Sequence, residues 1–106
     1  MSPTSLSPAP IGFADLLADV AMAVDRVSPA LATLFREDAD AACHGEFNPT
    51  TVGLTIEVLA RRAEATDDDR LASVAFHLRC ALLNREDADR LAQSVRNTRH
   101  HLYMSR

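Results

Sequence analysis

Apolar residues recur along most of this chain at steps of three and four, and that spacing restricts the possible folds more than any other feature. Phe13, Leu16, Leu17, Val20, Val24 and Val27 set the pattern, and Val52, Ile56, Leu59 and Ala63 repeat it at steps of 4, 3 and 4. A helix of 3.6 residues per turn gathers such residues on one face, whereas a strand needs strict alternation. The supply of residues agrees: Ala, Leu and Val dominate, with no Trp, one Tyr and three Gly, a mixture that favours helix by intrinsic propensity. The predicted fold class is all-α, a compact bundle of four to five short helices.

Punctuation between the apolar runs sets the boundaries. Ser28-Pro29 and Asn48-Pro49 each pair a capping side chain with a proline at the first helical position, where the missing N–H costs nothing. Gly45 ends the second helix as a left-handed residue, after a stripe of Leu31, Leu34, Phe35, Ala41 and Ala42. Thr66 opens a fourth helix with Asp67, Asp68 and Asp69 in its first turn, at the positive end of the helix dipole. Asn84, with Asp87 three residues on, caps a fifth carrying Leu91, Val95, Thr98 and Leu102. The expected helices are 12–26, 29–44, 49–64, 67–83 and 85–103.

The fourth helix is apolar on two sides. At about 100° per residue, Leu71, Val74, Ala75, Leu78 and Leu82 share one face, while Phe76, Cys80 and Leu83 form a second stripe nearly opposite. Arg70, Ser73, His77 and Asn84 fill the narrow polar sector left over. A helix with two apolar faces needs cover on both, so the second stripe is expected either at the centre of the bundle or in a self-association interface.

With 47% apolar and 25% charged residues in 106, the chain is far from the disordered regime and suits one core. The expected organisation is a flexible Ser/Pro-rich tail over 1–10 and a single helical domain over 11–106. The tail lacks both a basic residue and an apolar signal core, and no later run approaches the roughly 18 apolar residues of a membrane span. A cytoplasmic protein with no membrane contact is expected. The two cysteines, Cys43 and Cys80, then read as free thiols.

Charge is unevenly spread. Residues 1–57 carry −6 and residues 58–106 carry +2, within a total of −4; all eleven basic residues are Arg. The C-terminal stretch holds Arg90, Arg96, Arg99, His100, His101 and Arg106 with no acid among them, and the first five of these form the candidate basic patch for a partner.

Candidate chemistry is sparse. Cys43, His44, His77 and Cys80 supply the ligand types of a structural zinc site, but neither half has the C-x-x-C knuckle such sites favour. Cysteines packed as small hydrophobes are the ordinary alternative. The acids at 67–69 and 86–89 sit where helix capping already accounts for them, and no phosphate loop, nucleophile elbow or zincin motif is present. For DNA, the Arg/His helix offers phosphate ligands, yet a recognition helix there would lead with Glu86, Asp87 and Asp89. Nucleic acid is therefore a disfavoured partner.

Two short echoes raise the question of duplication. REDAD occurs at 36–40 and 85–89, and LADVAMAV at 17–24 resembles LASVAFHL at 71–78, but the two offsets differ. The expected function is that of a non-enzymatic regulatory or adaptor protein, without a cofactor, acting through Phe76, Cys80 and Leu83 on another protein and on its own copy as a homodimer. A DNA-binding regulator and a zinc protein are the alternatives.

Overall fold

The computed structural model describes residues 9–103. Most of the tail expected over 1–10 lies outside them, as does Arg106. Five helices follow in order: α1 Phe13–Val24, α2 Pro29–Cys43, α3 Pro49–Ala65, α4 Asp69–Leu83 and α5 Ala88–Tyr103. No strand is present among the described residues. The all-α class and the five short helices read from the sequence are those of the structure. The chain divides into two compact units, Met1–Thr55 and Ile56–Arg106, with the boundary inside α3.

In the first unit α1 packs on α2. Phe13, Leu16, Leu17, Val20, Ala21 and Val24 of α1 are buried, and Leu31, Ala32, Phe35, Ala39 and Ala42 of α2 are buried with them. Phe47, in the α2–α3 connection, sets its ring 5.3 Å from that of Phe13 at 53°, a tilted aromatic contact. The side chain of Ser28 accepts a hydrogen bond from the Leu31 N–H, and Pro29 takes the first helical position. Asn48 Oδ1 accepts from the N–H groups of Thr50 and Thr51. Both cap-plus-proline signals therefore work as their chemistry predicts.

Gly45 has φ of +73°. Around it the Glu46 N–H reaches the Ala41 carbonyl and the Gly45 N–H reaches that of Ala42, the paired bonds that close a helix through a left-handed residue. The α2 stripe departs from expectation. Leu34 is 39% exposed, while Asp38, three positions from both Phe35 and Ala41, is 7% exposed.

In the second unit α4 packs on α5, through Leu71, Val74, Ala75, Leu78, Ala81 and Leu82 on one side and Leu91, Ser94, Thr98 and Leu102 on the other. Thr98 is fully buried, and its hydroxyl donates to the Ser94 carbonyl at 2.7 Å. Ser94, not Val95, completes the α5 seam; the polar side chain is tolerated because Ser is small.

Two helix starts fall later than the sequence suggested. Asp67 adopts φ of +54°, and the Asp68 N–H bonds the Ala63 carbonyl, so Asp67 ends α3 as Gly45 ends α2. Thr66 donates back to the Arg62 carbonyl, and Asp68 caps α4 by accepting from the Leu71 N–H. Likewise Asn84 belongs to the end of α4, its amide donating to the Cys80 carbonyl. Asp87 accepts from the Arg90 N–H and starts α5.

The two sequence echoes have different fates. Leu17, Val20, Ala21 and Val24 are buried as are Leu71, Val74, Ala75 and Leu78, and the matching Met22 and Phe76 are both exposed. REDAD, by contrast, is mid-helix at 36–40 and spans the α4–α5 connection at 85–89. The pentapeptide carries no structure of its own.

Candidate interaction surface

The buried side of α4 is the Leu71 to Leu82 face, which leaves the Phe76 stripe on the outside. Phe76 is 60% exposed and Leu83 is 72% exposed. Cys80 between them is a half-buried free thiol. The alternative that placed this stripe at the centre of the bundle is thereby overturned, because α4 uses its other face for its helical neighbours. Phe76 and Leu83 stand seven residues apart, so they stack two turns from each other on one side of the helix.

The flanks of this stripe are polar and ordered. On one side Arg79 donates a 2.8 Å bond to Glu57 of α3, and Glu57 also pairs with Arg61 at 3.5 Å. On the other, the His77 ring lies edge-on to Phe76, with centroids 5.1 Å apart, and stacks on His101 of α5 at 4.9 Å and 9°. His100 in turn meets His101 edge-on at 5.2 Å. Burial holds His77 below the ordinary imidazole range, and the charge on His101 acts in the same direction.

The candidate basic patch does not form one surface. At about 100° per residue, Arg96 and His100 fall opposite the buried seam of α5, Arg90 and Arg99 fall on its two opposite flanks, and His101 falls beside the seam. Arg90 pairs with Asp87 at 3.6 Å, and Arg96 donates to Gln93. His101 is committed to its stack with His77. Of these, the Arg90–Asp87 pair draws on charge that a polyanion would have to recruit.

The four zinc-type residues divide between the two units. Cys43 and His44 lie in the first unit, His77 and Cys80 in the second, and no group of three or more His, Cys, Asp or Glu among the described residues is placed to hold a metal ion. His44 instead bonds the Asp40 carbonyl at 2.7 Å. That bond and the Asp40 charge raise its proton affinity. Cys43, expected to pack as a small hydrophobe, is exposed.

Two concavities border α4. One of about 400 Å³ is lined by Glu57, Glu64, Asp67, Asp68 and Asp69 with Arg61 at its rim. The other, about 270 Å³, is lined by Asp69, Arg70, Ser73 and His101. The first is dominated by carboxylates, and the second brings a hydroxyl, an imidazole and a carboxylate, those of Ser73, His101 and Asp69, to one lining beside the Arg70 guanidinium. No helix among the described residues is long and apolar enough to cross a membrane. Comparison with known families, with characterised proteins and with solved structures found no match for this chain.

Proposed function

We propose that this chain is a non-enzymatic regulatory or adaptor protein that works through protein–protein binding, with the outer face of α4 as its docking surface and a second copy as the occupant. The carrying observation is the pair Phe76 and Leu83, both large, both apolar, both mostly exposed and two turns apart. Covering each is worth roughly 1.5 to 3 kcal/mol, a large share of what so small a chain can muster. A twofold pairing brings the same stripe from each copy against the other.

Charge favours a second copy over a partner of one sign. The second unit carries an acidic concavity beside α4 and a cationic outer side on α5, so each copy offers the complement of the other's charge. An adaptor in a cytoplasmic setting is the role this surface suits.

Sedimentation equilibrium on the wild type and on Phe76→Asp tests the reading. Because Phe76 is exposed, the variant should keep its helicity and lose association. A variant that folds and retains the wild-type oligomeric state would show that this face does not dock.

A further inference from the structure

On the reading that the outer face of α4 associates with a second copy, we propose that His77 couples that association to pH, the face docking only while the His77 imidazole is neutral. His77 stands between two rings: it is stacked on His101 at 4.9 Å and set edge-on to Phe76 at 5.1 Å. A partner seated on Phe76 therefore also covers His77 and removes water from a ring that is already half-buried.

Desolvation penalises the charged form of an imidazole. The groups around His77 give a proton there little help. From α5 it meets His101, itself backed by His100. On α4, Arg79 two residues on is engaged by Glu57 of α3, and Arg70 a further two turns back lines a cavity with His101, Ser73 and the acidic Asp69. Asp69 is the carboxylate of that cavity, whose lining also includes His101. The influences acting on His77 in the free chain, burial first and His101 second, both favour the neutral ring.

Docking of a protonated copy thus requires the His77 proton to leave for solvent, and binding of a proton opposes docking to the same degree. A twofold dimer buries two such rings, so two protons are released for each dimer formed from two protonated copies. The stack adds a geometric element, since repulsion between two imidazolium rings would open the His77–His101 contact and disturb Phe76 beside it.

The test is sedimentation equilibrium at pH 7.5 and 5.5 on the wild type, His77→Gln and His101→Gln, with the His77 ring followed by NMR. The wild type should associate about tenfold more weakly at the lower pH. His77→Gln, which cannot titrate, should associate equally at both. His101→Gln keeps the titrating ring and loses the neighbour whose charge opposes its protonation, so His77 should titrate, and association should weaken, at higher pH than in the wild type; an unmoved His77 titration in this variant counts against the coupling through the stack. A wild-type dimer indifferent to pH, or a His77→Gln protein with the full wild-type dependence, overturns the coupling alone. A wild type that is monomeric at both pH values takes down the self-association and this coupling with it.

Discussion

The guanidinium of Arg70, in the first turn of α4, donates a 3.2 Å hydrogen bond to the backbone carbonyl of Leu102, in the last turn of α5. The bond joins residues 32 apart in sequence and ties the start of one helix to the end of the next. A terminal helix carbonyl has no intrahelical partner and sits at the negative end of the dipole, so a cation is the apt donor. Arg70→Met keeps most of the aliphatic stem and removes the bond. The expected loss is about 1 kcal/mol in urea unfolding, with hydrogen exchange accelerated first at the C-terminal turn of α5. Unchanged exchange there would mean that the bond contributes nothing.

Asp38 makes an opposite prediction. It is 7% exposed, and its Oδ2 has no hydrogen-bond partner. Burial raises its pKa; a hydrogen bond with the Thr55 side chain pulls the other way, and the Glu37 charge adds to the rise. The single Thr55 hydroxyl proton is also offered to the Thr51 carbonyl at 3.1 Å, which limits what it gives the carboxylate. A pKa raised in the folded state means that the penalty is present above that pKa and disappears as pH falls through it. Asp38→Ala should therefore stabilise by about 1 kcal/mol at pH 7, and by less near pH 4. Thermal unfolding at the two pH values measures the difference.

The two left-handed helix ends predict a pair of opposite signs. Gly45 has φ of +73° and open space where a Cβ would be placed, so Gly45→Ala meets only the backbone strain of a side chain in that region, about 1 kcal/mol of lost stability. Asp67 already bears that strain at φ of +54°, and Asp67→Gly should recover a similar amount. Chemical denaturation of the two variants checks both. A loss at Asp67 would show that its carboxylate, beside the start of α4, outweighs the strain.

These residues also mark where the sequence was legible. Ser28-Pro29, Asn48-Pro49 and Gly45 act through bonds to residues within four positions, so their identity alone reveals the structure. Asp67 acts equally locally, but nothing distinguishes a left-handed Asp from the two acids after it, and the expected start of α4 falls two residues before the observed one. Asn84 and Asp87 are alike in this: both can cap a helix, and the spacing that suggests Asn84 as the cap of α5 does not reveal that Asp87 takes that place. The wheel separated the two stripes of α4, yet which one is buried depends on α5, and spacing within α4 contains no information about that. The burial of Asp38 and the stacking of His77 on His101 depend on contacts made 17 to 24 residues away, and no local pattern announces them.

His44 and His77 give stability dependences of opposite sign. His44, raised by the Asp40 carbonyl and charge, contributes stability that is present at low pH and is lost as pH rises through its folded pKa. His77, lowered by burial and by His101, contributes a penalty that develops as pH falls below the unfolded value near 6.5. His44→Gln should leave a protein more sensitive to acid than the wild type, and His77→Gln one less sensitive. Unfolding midpoints from pH 5 to pH 8 separate them.

The two thiols report on the docking face without any substitution. Cys43 is exposed near the end of α2, and Cys80 is half-buried on α4 between Phe76 and Leu83. A thiol reagent must reach the sulfur, so accessibility bears on the relative rates of the two cysteines. In dilute native protein Cys43 should react faster than Cys80, and under denaturing conditions both should count as free. Concentration then provides the discrimination. Self-association through α4 covers Cys80 and leaves Cys43 as it was, so the Cys80 rate should fall as protein concentration passes the dissociation constant while the Cys43 rate stays constant. Phe76→Asp, which removes the docking surface but not the thiol, should abolish the concentration dependence and leave the dilute-limit rate in place. If both thiols slow together on concentration, the copies meet through some other surface, and if neither slows in a protein shown to be dimeric, the stripe of Phe76, Cys80 and Leu83 lies outside the interface.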